Sequence, residues 1–136
     1  MDTKDVRIKA VAAGLATDIG GSVLGGIVLG ILVIAINGGD TSPENLATLK
    51  DNIYVNLFGV LVSTFFTGLG GYVAARLSRP DGLINAITVG ILSVLIGIVL
   101  VVLVPGVTPD WHLLLGAILA IPAALLGGKI ATRSSF

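Results

Sequence analysis

The sequence predicts an all-α integral membrane protein, a single four-helix transmembrane domain over residues 1–136, and three observations predict it. Of 136 residues, 54% are hydrophobic and only 12% charged, about half the charged share of an ordinary soluble domain. The apolar residues gather into four runs of about 20 residues or more, the length needed to cross a hydrocarbon core of about 30 Å. Between the runs lie clusters of Gly, Pro, Asn and Asp, the residues that stop and start helices. A net formal charge of zero gives no basic surface for nucleic acid, whose phosphates demand one. With no cysteine, one His and one Met, neither a metal centre nor a bound cofactor is expected.

The first span is predicted over residues 10–36. Met1 to Lys9 is polar and carries Lys4, Arg7 and Lys9. A cleaved signal peptide opens similarly, but its apolar stretch is only about 7–15 residues long, so the run reads as a retained helix. Gly14, Asp18, Ser22, Gly26 and Gly30 recur at every fourth position, a stripe of small groups that lets another backbone come close. Thr17, Gly21 and Gly25 run beside it. Asn37-Gly38-Gly39-Asp40 ends the helix. Ser42-Pro43-Glu44 then supplies an N-cap, a proline at the first helical position and an acid in the first turn. Asn45 to Asn52 is polar and reads as a short surface helix or an outward extension of the next span.

The second span, 53–76, carries Gly59, Ser63, Thr67, Gly71 and Ala75 at four-residue steps. The ladder of the first helix is expected to pack on this one. Arg79-Pro80-Asp81-Gly82 suits a tight type I turn, which makes its flanking helices antiparallel neighbours. The third span, 83–104, is the most apolar, marked only by Asn85, Thr88, Gly90, Ser93 and Gly97. Pro105-Gly106 breaks it, and Thr108-Pro109-Asp110 repeats the N-cap, proline, acid order. The fourth span, 111–130, has Gly116, Ala120, Ala124, Gly128 and Thr132 in ladder, with Pro122 placed to kink it by freeing the Ile118 carbonyl. Gly127-Gly128-Lys129-Ile130-Ala131-Thr132-Arg133-Ser134-Ser135 echoes Gly70 to Ser78. The chain therefore reads as two helical hairpins forming a loose parallel repeat.

Basic residues orient the chain. Lys4, Arg7, Lys9, Arg76, Arg79, Lys129 and Arg133 fall at the termini and in the second-to-third turn, leaving Lys50 alone on the other side. Both termini are thus expected in the cytoplasm of a multi-pass cell-membrane protein, with Tyr54 and Trp111 at the outer interface.

Asp18 is the one acid inside a span. The leading expectation is an intramembrane ion pair with Lys129, or next with Arg76. Counted at 1.5 Å per residue from the outer ends of their helices, all three fall roughly 27–30 Å deep, and a cation within about 4–6 Å keeps a carboxylate charged. A snorkelled interfacial carboxylate and a proton or ion site are the alternatives. His112 is expected at the outer edge in a solvated or capping role, and the double glycines in helix packing. No His or Lys base stands at helical spacing from the Ser and Thr residues of the spans, so enzymatic activity is not expected.

Gly70-Gly71-Tyr72-Val73-Ala74-Ala75-Arg76, followed after a polar turn by the helix opening Leu83 to Gly90, resembles small four-span prokaryotic membrane proteins of unknown function with a Gly-Gly-x-x-Ala-x-Arg helix end. That resemblance implies no activity. The expected function is a structural, self-associating or accessory subunit in the bilayer, a homo-oligomer or part of a larger complex, packing through glycine-rich faces. The alternative is a small proton- or ion-coupled transporter or channel subunit using Asp18, which a cavity lined by Asp18, Ser22, Thr67 and Asn85 would favour.

Overall fold

A computed structural model of the chain describes residues 6–106 and 109–133. Lys4, the Thr108 cap and the repeat serines Ser134 and Ser135 lie outside the described residues. The described chain is α-helical in the order α1 (Ile8–Ile36), α2 (Pro43–Asp51), α3 (Ile53–Leu77), α4 (Gly82–Leu103) and α5 (Asp110–Arg133). All but α2 are long and apolar enough to cross a membrane.

Local chemistry sets the boundaries. Past α1, Gly39 takes a positive φ of 76° and its N–H donates to the Ile34 carbonyl, a left-handed stop that glycine accepts without strain. The Ser42 hydroxyl accepts from the Asn45 N–H to open α2. Asn52 ends α2 and caps α3, its side chain accepting from the N–H groups of Tyr54 and Val55. The α3–α4 link differs from expectation. The Asp81 N–H donates to the Ser78 carbonyl (2.8 Å), and the Arg79–Pro80 peptide is cis. By that hydrogen bond the turn spans Ser78 to Asp81 with proline third, rather than Arg79 to Gly82 with proline second. Arg79 reaches across to donate to the Ala131 carbonyl (2.6 Å), tying this turn to the end of α5. α5 remains helical through Pro122, which faces outward.

α3 is the hub, packed against every other helix, while α1 and α5 stand on opposite flanks, each touching α3 and α4. One end of the bundle, here the basic end, carries Arg7, Lys9, Arg76, Arg79, Lys129 and Arg133. The half next to it is packed backbone to backbone. A Cβ on Gly14 would lie 2.6 Å from the Gly70 carbonyl oxygen, and one on Gly70 would lie 2.5 Å from that of Gly14. Gly71 presses on the Ala124 backbone, Gly127 on Gly68, and Gly128 on the Ala86 methyl. Ala74, Ala75, Ala86, Val89, Ala124 and Ala131 are wholly buried between them.

The ladder of α1 does meet α3, but through a different stripe from the one expected. Gly14, Asp18, Gly21 and Gly25 make the contact, the last two against Phe66 and Val62. Gly26 and Gly30 are exposed, with open space where a Cβ would be. The reason is geometric. A strict four-residue step advances about 400° and drifts about 40° around the helix each time, whereas steps of four, three and four complete eleven residues in three turns and hold one face. Gly59 and Gly116 are not closely packed either, whereas Thr67, Ala120, Gly71, Ala124 and Gly128 are buried as expected.

The two glycine pairs exchange duties between repeats. In α3 the first glycine faces α1 of its own hairpin and the second faces α5. In α5 the first faces α3, and the second faces α4 of its own hairpin.

Candidate functional site

The far half of the bundle, away from the basic end, does not close. A cavity of about 640 Å³ lies between α1, α3, α4 and α5. It exists because the residues facing it are small: Ser22 and Gly26 on α1, Gly59 and Ser63 on α3, Gly97 on α4, and Gly116, Ala117 and Ala120 on α5. The remaining wall is aliphatic, including Ile19, Val23, Val94, Val101 and Leu113. Along its far half α1 has little cover, and Val23, Leu24, Ile27, Val28, Ile31 and Leu32 are each more than half exposed.

At the closed end of this cavity sits Asp18, 5% exposed. Gly70 makes room for it, since a Cβ there would come within 3.0 Å of the Asp18 Cβ. The Thr67 hydroxyl of α3 lies 2.9 Å from Asp18 Oδ1 and donates to it, and the Ser93 hydroxyl of α4 donates to Oδ2. The same Thr67 hydroxyl also lies 2.9 Å from the Ser63 carbonyl oxygen. A hydroxyl has one hydrogen to give, so as a bare carboxylate Asp18 competes with Ser63 for it. With a proton on Oδ1 the competition ends. In that state the bonds would run from Asp18 to Thr67, from Thr67 to Ser63 and from Ser93 to Asp18, in an unbroken chain.

The expected ion pair is not formed. Among the described residues, Asp18 has hydroxyl partners and no cation. Lys129 is exposed on the outside of α5, and the Arg76 guanidinium donates to the Tyr72 hydroxyl at 2.9 Å. Depth explains the difference. α1 is 29 residues long against 25 for α3. Level at Asp18 and Thr67, it overhangs α3 at the far end by roughly 6 Å at 1.5 Å per residue. Counting down from a common far-end plane therefore placed Asp18 too close to the basic end. Its partners Thr67 and Ser93 lie roughly 15–17 Å from the basic ends of their helices, near mid-membrane depth. Gly128 meets α4 at Ala86, two turns or roughly 10 Å nearer the basic end than Ser93.

His112 also departs from expectation. It is half-buried on the cavity wall with Nε2 turned toward Gly59, and its buried Nδ1 has no hydrogen-bond partner. One signal was available: His112 and Gly116 share a face at a four-residue step, and Gly116 lines the same cavity. Asn85 lies elsewhere, at the basic end, where its side chain accepts from the Arg7 N–H (2.7 Å) and donates to the Asp81 carbonyl. Ser93 was visible only as a polar mark on α4, since its role depends on how far α1 slides along its neighbours. Among the described residues no group of three or more His, Cys, Asp or Glu is placed to hold a metal. Set against protein-family models, curated proteins and solved structures, the chain matches none.

Proposed function

We propose that the chain is a small membrane transporter or channel subunit in which Asp18 binds and releases a proton or a cation at the closed end of the cavity. The observation that carries this reading is the Asp18 network. A carboxylate near mid-membrane depth is costly unless something neutralises it, and hydroxyls are the only partners the described residues bring to it. Thr67 on α3 and Ser93 on α4 do not titrate, and His112 on α5 is the one other titratable side chain lining the cavity.

The accessory-subunit reading keeps only part of its motive, because the close-packing glycines Gly14, Gly70, Gly71, Gly127 and Gly128 are used within the chain while Gly26 and Gly30 stay exposed. With the basic end in the cytoplasm, as the charge bias favours, the cavity faces outward and the cytoplasmic half is the closed gate.

Infrared difference spectroscopy of the purified protein across a pH titration tests the reading. A protonated-carboxyl band that responds to pH and disappears in Asp18→Asn is the expected result. No Asp18-dependent band, together with no Asp18-dependent cation binding, removes it.

A further inference from the structure

We infer that the cavity takes an amphipathic organic amine, with its ammonium on Asp18 and its apolar body along the aliphatic wall. The inference rests on the reading of Asp18 above and adds the class of ligand. Size comes first, since about 640 Å³ falls within the range of about 300–1,000 Å³ typical of sites for small organic molecules. A bare inorganic ion would leave most of that space lined by hydrocarbon and unfilled.

Polarity comes next. Among the described residues the lining holds no Lys or Arg, so no fixed positive charge in it receives an anion. Three of its four hydroxyls are already engaged, leaving Ser22: Ser63 donates to the Val60 carbonyl, Thr67 lies between Asp18 and the Ser63 carbonyl, and Ser93 donates to Asp18. A sugar or another polyhydroxylated molecule would therefore bury hydroxyls with too few partners, at a cost for each. What the closed end offers is an acceptor with negative charge, and the matching group is a cationic donor. An ammonium supplies both charge and N–H groups.

The route matches the ligand. Val23 and Gly26 on α1, Leu100 on α4 and Val104 just past its end line the cavity and are also exposed. A molecule already dissolved in lipid thus reaches the cavity without crossing water.

A matched series sharing one apolar body tests this: phenylbutylamine, phenylbutanol and phenylbutyrate, titrated calorimetrically into the protein in lipid nanodiscs. Charge-assisted hydrogen bonds predict that the amine binds at least about tenfold tighter than the alcohol, with no detectable binding of the carboxylate. Asp18→Asn is expected to erase the advantage of the amine over the alcohol. Gly116→Leu, which projects into open space, is expected to abolish amine binding while leaving the Asp18 infrared band intact. Equal binding of amine and alcohol, or an amine preference that survives Asp18→Asn, overturns the inference. If the infrared band still titrates in that case, the proton site stands and only the ligand class falls. If the band is absent too, both readings fall.

Discussion

Asp18 is held by hydroxyls, and that fixes how its substitutions should behave. Asparagine keeps the shape and offers one acceptor and one donor, so it can accept from Ser93 and donate to Thr67 without a proton. Asp18→Asn should therefore cost less than about 1 kcal/mol of stability, whereas Asp18→Leu leaves the Ser93 hydroxyl unpartnered at about 1–3 kcal/mol, Thr67 keeping the Ser63 carbonyl. Thermal unfolding in a mild detergent checks the pair. An Asp18→Asn loss as large as that of Asp18→Leu would point to an ion pair after all. Ser93→Ala removes a single donor and should cost about 1 kcal/mol, while Lys129→Met, at an exposed position, should leave the midpoint unchanged in the same assay.

Helix packing gives a sharper contrast at the scale of the elements. Gly14→Leu and Gly71→Leu drive a side chain into a neighbouring backbone, and overpacking of that kind costs about 1–3 kcal/mol or more. Gly26→Leu and Gly30→Leu meet open space and should be neutral, or stabilising by up to about 1 kcal/mol from helix propensity. Unfolding midpoints for the four variants decide between the two stripes of α1.

The spans, the glycine stop after α1 and the Ser42 cap were legible in the sequence because hydropathy and capping are local properties of the chain. The α1 stripe was legible only in part: Gly14 and Asp18 begin both patterns, and the patterns separate at Ser22, where the drift of a strict four-residue step accumulates. In the site, Asp18, Ser22 and Thr67 could be named in advance, whereas Ser93 and His112 were visible as residues but not in their roles. Their parts depend on the overhang of α1 over α3 and on the rotation of α5, and neither is set by any one stretch of residues.

For the whole molecule, orientation is open to a direct test, since the chain has no cysteine and a single introduced thiol reports alone. Glu44→Cys in intact cells should react with an impermeant thiol reagent added outside, and Asp81→Cys should not, because the basic residues gather on the side of Asp81. Outside labelling at Asp81 would reverse the orientation. One contact also governs the order of assembly. The Gly68–Gly71 face of α3 is covered by α5, the last of the four spans to be synthesised. Until α5 is inserted, the hub of the bundle therefore presents an uncovered glycine surface to the lipid. A ribosome-bound chain stopped after α4 should be held by membrane chaperones or degraded, and release of α5 should end that interval of exposure.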